Sequence, residues 1–393
     1  ALLSIKEIYS MHRKEKEELI MISKDKMSVT VGVAFVWFTT QFGGGFASGN
    51  QLRQYFVQFG VWAFATCILA QFIGAFYQWY GLRYAKKHNV YDYRSFNNSF
   101  YGKYSPIFSN LYELVYIVTI CVAPAAAFAT GVSTMESAFG INHWVGTVFV
   151  GVFIFIVAVY GTNVVRKVAS TLSVLIVAGL LIVYIPNIIA QWGDISANIA
   201  ASAANPAPAG KALWTSIVYA AFQLAAIGLL FQHAKPFESP DDAKTSMVYG
   251  FFVNSITCLM AVLGLMAITN DPNFATESIP LLILVNRGVA PSVLRPIISI
   301  LIVLGSVSTA VNMIAGMSNR VCTSLDKNFD PTAKPGKNVI MVTLVCTILA
   351  FLIAQLGLNK IVAVGYAYLG YLTIPDIMIP YVVHMVVTKF DTK

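Results

Sequence analysis

Long apolar stretches separated by short polar ones dominate the chain, and ten of them reach the roughly 20 residues that cross a hydrocarbon layer. They cover 29–56, 60–85, 106–132, 143–161, 168–192, 212–233, 245–269, 294–322, 338–357 and 361–387. Several exceed the length a bilayer requires, which predicts tilted helices or extensions beyond the membrane. Residues 1–28 differ: Arg13, Lys14, Glu15, Lys16, Glu17 and Glu18 interrupt any apolar core. A signal peptide needs that core unbroken, so this segment reads as a cytoplasmic amphipathic helix.

Composition removes whole classes of function. Charged residues make up 11% of the 393 positions and the mean hydropathy is +0.69, against about 25% charged in soluble domains. A soluble enzyme, a nucleic-acid-binding module and a disordered tail are excluded as main readings. The net charge of +8 is an orientation signal: with the N-terminus inside, 21 of the 26 lysines and arginines fall on one side. Basic loops stay cytoplasmic, so both termini face the cytoplasm, and a plasma (inner) membrane is the expected location. Cys67, Cys121, Cys258, Cys322 and Cys346 lie in or against apolar stretches without metal or disulfide spacing, and read as packed thiols.

The first span is interrupted. Gln41-Phe42-Gly43-Gly44-Gly45-Phe46-Ala47-Ser48-Gly49-Asn50 holds four glycines in seven positions, each costing a helix interior roughly 1 kcal/mol relative to alanine. A broken helix at membrane depth survives only where it lines a cavity or is buried in protein. The sixth span carries a weaker echo, Tyr219 to Gly228, with Gln223 at depth among small residues. Gly45 and Ala225 stand 180 residues apart, so the two breaks occupy corresponding places in two five-span halves. An odd repeat turns the second half upside down, and paired broken helices then mark a midplane transport site. The predicted divisions are a first repeat at 29–192, an extracellular loop at 193–211, a second, inverted repeat at 212–387 and a tail at 388–393. At such breaks, freed carbonyls suit Na⁺, and freed N–H groups around Ser48 and Gly49 suit a carboxylate.

Gly49-Asn50-Gln51-Leu52-Arg53 after the glycine run resembles the first helix of LeuT-fold sodium-coupled transporters, the neurotransmitter:sodium symporters in particular. Ala221-Phe222-Gln223-Leu224-Ala225 looks like their unwound sixth helix, and Gly43 to Gly49 is similar to the opening helix of bacterial YkvI-type membrane proteins. The fold this implies is an all-α polytopic protein of ten helices, a 5+5 inverted repeat with helices 1 and 6 discontinuous.

The resemblance also implies ion sites. A second sodium site would use carbonyls of Gly43, Phe46 and Gly305 with hydroxyls of Ser308 and Thr309. The residues support it independently, because Gly305, Ser308 and Thr309 share one helix face and hard cations take oxygen ligands. Intramembrane Ser and Thr also bond back to their own helix, which is the plain alternative. A first sodium site would draw on Gly45, Asn50, Gln223 and Asn254, although the family usually has a hydroxyl residue where Gln223 stands. Arg53 resembles the family's outer-gate arginine, with an ordinary interfacial anchor as the plain alternative. Between 168 and 185 only Tyr184 is ionisable, so no lysine replaces sodium there.

Two acids lie within spans, where each costs at least about 2.5 kcal/mol. Glu113 is a candidate for a cationic substrate, a proton relay or an arginine partner. Asp376, between Pro375 and Pro380, is a candidate inner-gate residue or a group satisfying freed backbone. The substrate set is Gly45, Phe46, Ser48, Gly49, Glu113, Tyr116, Phe222, Gln223, Ala225 and Tyr366. The expected activity is Na⁺-coupled symport of a small solute, an amino acid or related amine, by a monomer or weak oligomer in the lipid bilayer. No nucleic acid, cofactor or catalytic residue is expected. Proton-coupled or uncoupled transport, a nutrient sensor and a channel are the rival readings.

Overall fold

The computed structural model describes residues 29–160, 162–326 and 334–392; the amphipathic segment expected over 1–28 lies outside them. All regular structure among the described residues is helical. Seven helices are long and apolar enough to cross a membrane. The pair Val174–Ala190 and Trp192–Ala204, bent by 77°, brings the count to eight when taken as one span. The first predicted span is divided into α1 (Val29–Gln41), α2 (Gly44–Ala47) and α3 (Asn50–Tyr55). Helix α4 (Trp62–His88) covers the second, with Gln71, Gln78, Arg83, Lys86 and Lys87 diluting its apolar character.

The predicted loop at 193–211 is in fact largely helical, as α9 (Trp192–Ala204). Its alanine-rich run favours helix, and Asp194 sits in the first turn, where the helix dipole welcomes negative charge. The remaining elements needed below are α5 (Tyr93–Tyr101), α6 (Ser105–Phe139), α7 (His143–Tyr160), α8 (Thr162–Ala190), α10 (Ala209–Leu224) and α11 (Asp242–Met266). They continue with α12 (Pro280–Arg287), α13 (Pro291–Leu325), α14 (Lys337–Ala354) and α15 (Leu358–Val387).

Burial runs opposite to that of a soluble domain. On α7, Val148, Phe149 and Val152 are exposed, and on α14 Val345, Ile348 and Leu352 are exposed. Large apolar side chains face outwards because hydrocarbon is the solvent. Buried inside are Gln41, Asn50, Gln51, Arg53, Asn254 and Asp376. The two longest helices, α6 and α13, pack against each other at the centre and hold α2 between them. Small residues make this possible: Ala125, Ala126, Ala127, Thr130, Ser306 and Ala310 are buried there, and small side chains let backbones approach.

Helix α15 departs twice from α geometry, with π segments at Ile361–Gly365 and Ile374–Met378. Each π turn inserts a surplus residue, so side chains beyond it point to a different face. The second π segment carries Asp376.

Candidate functional site

Glycine makes the first break in two steps. Gly43 is extended (φ −66°, ψ 172°) and separates α1 from α2. Gly49 has φ +82° and separates α2 from α3, a left-handed conformation for which glycine is the usual residue. Four carbonyl–amide bonds close the short α2 turn: Phe46 and Ala47 N–H to Gly43 O, Ser48 N–H to Gly44 O and Gly49 N–H to Phe46 O. The Ser48 hydroxyl donates to Gly45 O (3.0 Å) and accepts from Asn50 N–H (3.2 Å). The amides at Ser48 and Gly49 are therefore occupied.

The second break falls at Ala225–Ala226, where α10 gives way to single 3-10 turns at Ile227–Leu229 and Phe231–Ala234. Gly228 lies just past it, where a Cβ would run into Tyr112 and Tyr93, and a distant tyrosine holds the break open. The hydroxyl of Tyr112 on α6 donates to Ala225 O (3.3 Å) and accepts from Gly228 N–H (2.9 Å). One buried side chain thus satisfies both backbone groups that the break releases. Tyr112→Phe leaves them unpaired, and a buried orphan costs about 1–3 kcal/mol. The expected result is a lower unfolding midpoint in detergent; an unchanged midpoint would deny Tyr112 this role.

The proposed second ion set lies on facing helices. An added Cβ on Gly43 would sit 4.0 Å from Thr309 Cγ2, so the α1–α2 junction abuts that face of α13. The Thr309 hydroxyl donates to Gly305 O (3.0 Å), the back-bonded arrangement, which leaves its oxygen lone pairs able to ligate. A cavity of about 410 Å³ reaches these residues, lined by Val36, Phe42, Gly305, Ser308, Thr309 and Gly316, among others. Its walls grade from exposed at Gln232, Asn312 and Gly316, through half-buried Ser308 and Thr309, to buried Phe42. It therefore opens on the side where α1 begins.

The four residues of the proposed first ion set make separate hydrogen bonds, through nitrogen at Gln223 and Asn254, whose amide oxygens stay able to ligate. Asn50 donates to Ser278 O (2.9 Å) and Asn359 Oδ1 (2.5 Å). Gln223 donates to the Tyr219 hydroxyl (3.1 Å) and Asn254 to Gly250 O (2.8 Å). Gly45 O receives Ser48. No hydrogen bond among the described residues joins any two of the four. Phe222 stacks on Tyr366 (centroids 4.7 Å, planes 6° apart), and Phe46 meets Phe42 at a tilt (4.1 Å, 41°). Tyr116 lies apart from the Phe222–Tyr366 stack, lining the cavity and packed on Tyr93.

The opposite side is latched. Arg53, 4% exposed, donates through Nη1 to Phe274 O (2.6 Å) and Glu277 O (2.7 Å), and through Nη2 to Asn359 Oδ1 (2.6 Å). Leu281 N–H donates to Ser48 O (3.1 Å) and the Tyr55 hydroxyl to Val362 O (3.2 Å). A separate cavity of about 590 Å³ lies outside and has Arg53 and Asn359 in its wall. Sequence reasoning missed Asn359, whose only signal is a lone amide at the start of the last span.

Glu113 pairs with Arg320 of α13 and accepts from the Tyr93 hydroxyl (2.8 Å). The guanidinium also lies over the rings of Tyr93 (4.7 Å) and Tyr116 (5.2 Å). Of its three options this acid takes the arginine partner. Asp376 is fully buried, and neither carboxyl oxygen has a hydrogen-bond partner.

No protein-family model matches the chain, and no curated protein does. A solved structure does: a Na⁺-coupled sialic acid symporter in its substrate-bound outward-open state, 15% identical, with a TM-score of 0.57 over 90% of this chain and 79% of that one. At that identity the likeness carries the fold. With both broken helices in place, this chain is an all-helical, multi-pass membrane protein of the LeuT fold.

Proposed function

We propose that this protein is a secondary transporter that moves a small solute by alternating access, coupled to Na⁺ held between the α1–α2 junction and α13. One observation carries the reading. A cavity open on one side ends at Ser308 and Thr309 beside the first break, while Arg53 seals the other side. A channel needs a continuous polar path; this arrangement is open at one end only. With α1–α3 and α4 counted as crossings the chain has the ten spans of a 5+5 repeat, and the lysine and arginine distribution supports an open side facing the cytoplasm of a plasma (inner) membrane.

The sodium assignment rests on chemistry already present: two hydroxyls and backbone carbonyls, oxygen donors without a formal charge, on two facing helices. The similarity to a Na⁺-coupled symporter supports it. For the substrate we propose a small carboxylate-bearing solute, an amino acid in the first instance. The N–H groups of Gly43, Gly44 and Gly45 have no hydrogen-bond acceptor among the described residues, and such donors suit an anion. Glu113 is unavailable to an amine because Arg320 holds it.

Thermal stabilisation of purified protein tests the ion site. Wild type is expected to gain stability in NaCl over choline chloride, by about 2.7 kcal/mol at a hundred times Kd. Ser308→Ala with Thr309→Ala should remove most of that gain. A gain that survives both changes places the ion elsewhere. Uptake of labelled amino acids into proteoliposomes then tests the cargo, and a panel without Na⁺-driven accumulation would refute the substrate class.

A further inference from the structure

Asp376 is the acid that the sodium reading leaves unused. It lies in the second π segment of α15, fully buried, with Oδ1 and Oδ2 both unpartnered. Three tyrosines neighbour it: Tyr101 on α5, Tyr112 on α6 and Tyr381 on its own helix. None gives its hydroxyl to the carboxyl. Tyr101 donates to the backbone oxygen of Asp376 (2.8 Å) and Tyr112 is committed to Ala225 and Gly228. From α4, Tyr77 donates to Met378 O (3.1 Å) and Tyr80 meets His384 (2.7 Å).

Among the described residues no cation pairs with it. On α6 the neighbouring Glu113 is tied to Arg320, and α10 offers only Tyr219, bonded to Gln223, and Lys211 in its first turn. Lys87 and the His88 imidazole are held by Asp391. A buried acid with neither cation nor donor is held in its neutral form, because the ionised form loses its hydration without replacement. The same environment contacts the moving part. Tyr112, beside Asp376, bridges the break in the sixth span, and that break leads directly into Leu229, Gln232 and His233 of the open cavity.

We infer that Asp376 is a proton-binding site, loaded in this conformation, and that its proton is exchanged with water once per cycle as a second coupling ion. The step is a simple transfer: the carboxyl O–H breaks, the carboxylate forms, and the proton passes to water admitted when α15 and the sixth span separate. Protonation favours the conformation seen here, and ionisation favours its opposite. The proposed Na⁺ favours the opposite, outward-facing conformation, so Na⁺ and H⁺ oppose each other's binding reciprocally. That coupling rests on the alternating-access reading; the protonation itself does not.

Two measurements on the full-length purified protein test this. Infrared spectroscopy at pH 7 should show a protonated-carboxyl stretch in wild type that disappears in Asp376→Asn. Since asparagine mimics the neutral acid, the variant should keep the wild-type unfolding midpoint; Asp376→Glu should restore a band, shifted. Absence of the wild-type band overturns the site. Adding NaCl rather than choline chloride to lightly buffered protein should release protons from wild type and at least tenfold fewer from Asp376→Asn. Equal release from both overturns the coupling. A band present with no Na⁺-induced stabilisation of either protein would sink the sodium reading while leaving the proton site standing.

Discussion

Replacing Gly44 by alanine is expected to disable the protein although it adds a single carbon. The new Cβ would lie 2.5 Å from Ser306 Oγ, 2.8 Å from Thr130 Oγ1 and 2.9 Å from Thr130 Cβ. A serine hydroxyl can rotate away, but the Thr130 Cβ is fixed to the backbone of α6, so α2 itself must move. Overpacking of this kind costs typically 1–3 kcal/mol, and here the displaced segment carries the proposed ion ligands. Both the unfolding midpoint and the Na⁺-induced stabilisation should fall. Gly32→Ala is the matched control, because its Cβ meets nothing within 4 Å and alanine favours helix. Equal behaviour of the two variants would show that the close approach of α2 to α6 and α13 is dispensable.

Arg53→Ala is expected to open the far side. The change removes three hydrogen bonds from a charged donor and strands Phe274 O, Glu277 O and Asn359 Oδ1. Bonds to charged groups contribute about 1.5–3 kcal/mol each and do not add fully. A net loss of roughly 3 kcal/mol changes the closed-to-open ratio about a hundredfold. A cysteine placed at Val57, which is 1% exposed but borders the outer cavity, should then react much faster with a membrane-impermeant thiol reagent. Transport should drop with it while the Na⁺-induced stabilisation persists. An unchanged labelling rate would remove Arg53 from the latch.

The first break was legible because its cause is local. Gly43 and Gly49 occupy the two positions where the backbone leaves helical geometry, and no tertiary contact is needed to foresee that. The second break was only half legible. Ala225 and Ala226 are good helix formers, and what interrupts them is the hydroxyl of Tyr112, 113 residues earlier in the chain. A sequence window cannot weigh that contact. Asn359 was missed for the same reason: it accepts from Arg53 and Asn50 and donates to Thr276 O (2.7 Å), none of them near it in sequence. Glu113 was placed among three alternatives, and only the approach of α13 to α6 selects Arg320. Asp376 stood out by its chemistry, but its face did not, because two π segments shift the helical register on either side of Tyr366–Thr373.

The latch has one further consequence. Arg53 is received by two main-chain carbonyls and an amide rather than by a carboxylate within salt-bridge reach. Mobile counter-ions weaken pairs of opposite charges in water, but they compete poorly for a buried guanidinium surrounded by fixed dipoles. The outer closure should therefore hold its strength from dilute to concentrated external salt. A transporter of the proposed orientation would keep the same seal as the salinity around it swings, while the gradient proposed to drive it changes.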